Sequence, residues 1–229
     1  MVAAASLLAG GPAPADIRPL GIVTHAERAH VGGVAVSTGS TIYEGDRLST
    51  EVAGTLRIAS PSLTLQLNAQ SMLIVRRPAG PEGGLVAEVA SGTVIFAAAR
   101  TGKIVVVADD ALIRPTTNVP TVAHIRVVNR KELRIYAQRG ALEFSYHGEN
   151  ETIAEGTAYR VLLDPSETEA AVALASESEQ DKKKLTKHRK FLVLALSIIV
   201  PGVTIPLLIH ELESPDRPGP SQDSTSKKP

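Results

Sequence analysis

Between about Leu20 and Leu163 the chain alternates apolar and polar residues in short runs, with a period of two rather than 3.6. Examples are "GVAVS", "GTLRIA", "LTLQL", "SMLIV", "GTVIF", "KIVVVA", "HIRVV", "ELRIYA", "ALEFSY" and "YRVLL". Each run is rich in Val, Ile, Leu, Thr or Tyr, and Gly, Pro, Asn or Asp separates it from the next, which is the pattern of strands joined by turns. In Leu63-Thr64-Leu65-Gln66-Leu67 the three leucines share one face. In Leu133-Arg134-Ile135-Tyr136 the charge points away from the apolar side. No helical period interrupts the series. The pattern predicts an all-β domain over residues 20–165, a solenoid-like, sandwich or barrel arrangement of about ten short strands. Two Pro-bearing breaks, "RRPAGPEGG" (76–84) and "RPTTNVPT" (114–121), cannot continue a strand. The first is expected to divide the β region into halves.

One phrase occurs twice. Residues 32–50 read "GGVAVSTGSTIYEGDRLST" and residues 140–161 read "GALEFSYHGENETIAEGTAYRV". Thr41, Ile42, Glu44 and Gly45 correspond to Thr152, Ile153, Glu155 and Gly156, and Gly140 opens the second copy as Gly33 opens the first. "SGTVIF" (91–96) also matches "RGALEF" (139–144). Gly45 and Gly156 are expected to supply the positive φ of a tight turn, and Asp46 to hydrogen-bond the backbone of its own turn.

The order Gly45, Asp46, Leu48, Thr50, then Gly54, Leu56, Ile58, then Gly92 and Val94 resembles the FecR domain. The matched region covers roughly residues 20–110 and extends at most to 165. The resemblance implies a β domain outside the cytoplasmic membrane that handles protein contacts in signalling or envelope organisation. It assigns Gly45, Asp46, Leu48, Thr50, Gly54 and Gly92 to the structural motif, with no catalytic or cofactor role. The family's regulators place a sigma-restraining helical segment and a membrane helix before the β domain. In this sequence the apolar segment follows the β domain, so sigma-factor control is not expected from it.

That segment, Phe191 to Ile209, "FLVLALSIIVPGVTIPLLI", has nineteen residues and no charge. At helical rise it measures about 28 Å, near one hydrocarbon thickness, and a single C-terminal transmembrane helix is expected there despite Pro201 and Pro206. Residues 166–190 are a charged linker, either a solvated segment or a helix. Ser166 and Glu169 fit a capping box. Lys182, Lys183, Lys184, Lys187, Arg189 and Lys190 lie at its far end, where they suit a helix dipole. Residues 1–15 fit a signal peptide with Ala13-Pro14-Ala15 as the cleavage pattern, truncated at its basic end; a tail of Ala, Gly and Pro is the alternative. Residues 210–229, rich in Pro and Ser, are expected to be disordered.

Signal peptide and membrane segment together place the protein in the bacterial inner membrane with its β domain in the periplasm. The six Lys/Arg before the span instead favour a cytoplasmic β domain on a tail anchor.

Composition narrows the function. Lys plus Arg equals Asp plus Glu at 24 each, so no net field attracts nucleic acid. Cysteine is absent, which excludes disulfides, thiolate metal sites and Cys nucleophiles. The six histidines are scattered, and His25 and His30 do not share a strand face. Asp109 and Asp110 are neighbours of the kind that point to opposite faces, poorly placed for joint acid–base work. No G-x-S-x-G or phosphate-binding loop occurs. The expectation is therefore a non-enzymatic module with no cofactor and no small-molecule substrate, partnered by an envelope protein. A peptidoglycan- or glycan-binding module is the alternative, against which the three Phe, four Tyr and absent Trp weigh. An unrecognised hydrolase is a third, lacking any nucleophile–base pair to name.

Overall fold

The computed structural model describes residues 18–78, 84–116, 119–166, 186–187 and 191–196. Every regular element among them is a β-strand. In chain order these are β1 (Gly21–Val31), β2 (Val34–Ala35), β3 (Thr41–Ile42), β4 (Arg47–Ser60), β5 (Leu63–Leu67), β6 (Met72–Arg76), β7 (Leu85–Ala98) and β8 (Ile104–Ala108). They are followed by β9 (Ala111–Pro115), β10 (Thr121–Asn129), β11 (Glu132–Arg139), β12 (Leu142–Tyr146), β13 (Glu149–Ile153), β14 (Thr157–Leu163), β15 (Thr186–Lys187) and β16 (Phe191–Leu196). Nine of the ten alternating runs lie wholly or largely in strands, and "GVAVS" contributes only Val34–Ala35.

All sixteen strands join one hydrogen-bonded sheet, and that sheet is folded over on itself. The fold line crosses the long strands β1, β4 and β7. The first part of β7 pairs with β6 and, in parallel, with β8; its second part pairs with β5 and β10. Likewise Arg47–Ser49 of β4 pairs with β6, and Leu56–Ser60 pairs with β5. One layer therefore runs β4-β6-β7-β8-β9-β12-β13 and the other β4-β5-β7-β10-β11-β14-β16-β15. The segment 76–84 does not divide the β region into halves as expected: it joins β6 to β7, which are paired neighbours in one layer.

At the fold line each long strand carries a backbone irregularity. Arg28 in β1 and Ala53 in β4 take φ of 45° and 57°, and β1 shifts register between Glu27 and Ala29. Gly54 lies so close to β1 that a Cβ there would sit 2.5 Å from the Arg28 carbonyl oxygen. In β7, Gly92 has φ of 90°, and a Cβ on it would meet Ser71 Oγ at 2.3 Å and Ser71 Cα at 2.4 Å. Bulges of this kind bend a strand and raise its local twist. The buried polar groups they create are satisfied locally. The Ser71 hydroxyl accepts from the Thr93 amide at 2.9 Å and donates to the Thr93 carbonyl at 3.0 Å. The Thr50 hydroxyl accepts from the Ser71 amide at 3.0 Å and donates to the Asn68 carbonyl at 2.5 Å.

Between the layers lies a single aliphatic core. Leu56, Leu67, Val94, Ile125, Ile135, Tyr159 and Ala195 stand opposite one another in turn across β4, β5, β7, β10, β11, β14 and β16, and all are buried. At the far end the layers meet through aromatic rings. Phe144 of β12 packs edge-on against Phe191 of β16 at 4.9 Å, and Tyr146 lies 6.3 Å from the same ring. The Tyr146 hydroxyl donates to Asp164 at 2.5 Å, tying β12 to the end of β14.

β16 changes the expectation for the C-terminal segment. Phe191–Leu196, the first six residues of the anticipated membrane helix, form a strand antiparallel to β14. Thr186 and Lys187, within the anticipated linker, pair with it. Residues 197–209, the remainder of the linker, the candidate signal peptide and the tail lie outside the described residues. Among the described residues no helix is long and apolar enough to cross a membrane.

Gly92→Ala is expected to destabilise the domain by about 3 kcal/mol, from a left-handed Cβ driven into Ser71. Gly156→Ala, also at positive φ (73°) but in open space, should cost only about 1 kcal/mol. Urea denaturation of both variants measures the difference.

Candidate functional site

The motif residues hold the backbone in place. Tyr43–Asp46 forms a turn with Gly45 at φ 86°, in which the Tyr43 amide donates to Asp46 Oδ2 at 2.8 Å and the Asp46 amide to the Tyr43 carbonyl at 3.3 Å. The Gly45 amide then donates to Val75 and the Val75 amide to Asp46, clipping the turn to β6. Leu48 is fully buried, while Thr50, Gly54 and Gly92 lie along the fold line. The two copies of the repeated phrase form similar turns, since the Gly156 amide donates to Ala137 as Gly45 does to Val75, and Ile42 and Ile153 are both buried. Gly140, at φ 71°, passes within 2.7 Å (measured from a built Cβ) of Thr121 Oγ1. These eight residues do not converge on one cavity.

The polar candidates are dispersed as well. Asp109 and Asp110 form the tight turn between β8 and β9, with Asp109 at φ 54°. His147 lies 3.8 Å from Asp110, and the two carboxylates add to the charge around Tyr146. Burial, the hydrogen bond to Asp164 and these nearby charges together push the Tyr146 phenol well above its ordinary range, so it stays protonated as a donor. His30 pairs with Glu51 at 3.5 Å, apart from His25. Burial lowers the His124 imidazole against the opposing effect of its 3.0 Å contact with Gln138. Among the described residues no cluster of three or more His, Asp or Glu is arranged to hold a metal.

What does converge is the outward face of the first layer. Strand pairing aligns Arg47, Ile74, Glu88, Val107, Leu112 and Ser145 across β4, β6, β7, β8, β9 and β12. Beside it Arg76, Val86 and Val105 stand opposite one another across β6, β7 and β8, and Arg114 stands opposite Glu143 across β9 and β12. Arg47, Met72, Ile74, Glu88, Ala90, Val107 and Asp109 line a shallow groove of about 460 Å³. Met72 and Leu112, on this face, are 41% and 43% exposed.

Ion pairs flank this apolar floor. Arg76 Nε lies 2.7 Å from Glu88 Oε1. Arg114 grips Glu143 with two hydrogen bonds, of 3.0 and 2.8 Å. Hydrogen bonding from Arg114 holds the Glu143 carboxyl below its ordinary range, and the same pairing raises the Arg114 guanidinium. The arrangement is an apolar strip with fixed charges beside it. The sequence carried one signal for it. In "MLIV" (72–75) and "IVVVA" (104–108) alternation fails, because both faces of those strands are apolar.

No family model matches this chain, and no curated protein matches it. Two crystal structures of a protein from Parabacteroides distasonis ATCC 8503, provisionally described as an anti-sigma factor, do match. One gives a TM-score of 0.41 at 12% identity, the other 0.42 at 11%; each match covers 51% of this chain and 54% of that chain. The chain thus spans about half the length of the solved structures it matches.

Glu143 titrates from a depressed folded value, so its contribution to stability is present above the ordinary carboxyl pKa and is lost as pH falls through the lower folded one. NMR titration should place the Glu143 carboxyl below about 4.3, the ordinary Glu value. Arg114→Gln should return it to that value.

Proposed function

We propose that this chain is a non-enzymatic, protein-binding β domain of the bacterial envelope. It would serve in signalling or organisation on the periplasmic side of the inner membrane, tethered through the apolar segment 191–209. The observation that carries the binding role is the outward face of the first layer. Its exposed Met72 and Leu112, with half-buried Ile74 and Val107 between them, stand on paired strands, so the surface is preorganised and little ordering is needed to bind. The groove has no aromatic residue in its lining, which favours a protein partner over a sugar. The motif resemblance supports the envelope setting, and the uncharged segment supports the tether.

A photo-crosslinking residue at Leu112 is expected to capture one discrete protein in native membranes. The same residue at Arg126, on the outward face of the second layer, should capture none, and Ile74→Glu should abolish the Leu112 product. Co-sedimentation of the protein with purified peptidoglycan, unchanged by Ile74→Glu, would replace this reading with the glycan-binding one.

A further inference from the structure

Residues 191–196 have two incompatible uses. In the fold they form β16, paired with β14 through six consecutive positions from Leu163↔Phe191 to Ala158↔Leu196. Phe191, Val193 and Ala195 belong to the interior, with Phe191 fully buried against Phe144 and Tyr146, and the alternate Leu192 and Leu194 are buried too. In the sequence the same six residues open an uncharged run of nineteen. Nineteen residues of helix reach about 28 Å, whereas the thirteen that follow Leu196 reach only about 20 Å, short of a hydrocarbon core of about 30 Å. A segment hydrogen-bonded to β14 cannot also serve as the first third of a membrane helix.

The geometry points to a strand-binding site along β14, floored by Phe144 and Tyr146, whose ligand is the chain's own segment 191–196 and whose occupation withdraws the membrane span. Recognition is strand addition: backbone pairing supplies affinity, and apolar side chains at alternate positions, with an aromatic one leading, supply specificity. The ligand is tethered through 27 intervening residues, 164–190, which keeps its local concentration high. This inference rests on the proposed membrane tether for its second state, and on strand pairing alone for its first.

The absence of cysteine makes the test clean. In the full chain, Leu162→Cys with Leu192→Cys, and separately Val161→Cys with Val193→Cys, place thiols on directly opposed residues, within the span a disulfide bridges. Each protein is oxidised, checked for β structure by circular dichroism, and floated with vesicles of phosphatidylethanolamine and phosphatidylglycerol, with and without reductant. The expected result is a disulfide in both pairs, with the reduced protein floating at least tenfold more than the oxidised one. Failure of both folded pairs to form a disulfide overturns the strand site. Equal flotation of locked and reduced protein overturns the competition. Disulfide formation with no flotation in either state also overturns the competition, and locates the failure in the membrane reading.

Discussion

The bend shared by β1, β4 and β7 is the constraint on which the rest of the molecule depends. A single sheet of sixteen strands cannot enclose a core unless it doubles back, and it does so where Arg28, Ala53, Gly54 and Gly92 interrupt regular pleating. Turning three strands at one level exposes amides and carbonyls that regular pairing would have consumed. Thr50 and Ser71 take up those groups with hydroxyls, which can donate and accept at once. The Gly-Asp-x-Leu-x-Thr motif is therefore one local device. A turn is clipped to β6 by Gly45 and Asp46, Leu48 faces the interior, and Thr50 reaches the fold line.

Once the sheet is folded, its two outward faces differ in character. On the second layer, Ile95, Ala97 and Val122 form a buried apolar group, and His124 beside them pairs with Gln138 and packs edge-on with Tyr136. On the first layer, Met72 and Leu112 remain exposed between ion pairs. The same alternation that fills the core leaves these residues outside, because a strand apolar at consecutive positions has no polar face to offer solvent.

Much of the architecture could be read directly from the residues. Period-two runs located the strands, the glycine-based turns at 45 and 156 adopt the expected positive φ, and Asp46 does bond its own turn. Three things could not be read in this way. Strands β1, β3, β9 and β13 escaped notice, β1 because "GIVTHAERAHV" contains two register shifts that break its alternation. The outward groove escaped because a single sequence does not say which face of an apolar run is inside. Phe191–Leu196 escaped because an uninterrupted apolar run satisfies a membrane helix and a doubly buried strand equally well. Its partners in space, β14 beside it and Phe144 beneath it, are what the sequence alone does not show.

The order in which the strands can assemble follows from the spacing of β14 and β16. The pairs β4–β5, β8–β9, β10–β11 and β12–β13 are joined by two-residue turns and can zip up locally, whereas Pro115↔Leu142 and Leu163↔Phe191 must close loops of 26 and 27 residues, with a correspondingly larger entropic toll. During synthesis that last strand also leaves the ribosome after all its neighbours. For that interval β14 is a bare margin with unpaired backbone groups, and a nascent domain waiting in this condition is open to capture by a chaperone or by another unfinished chain.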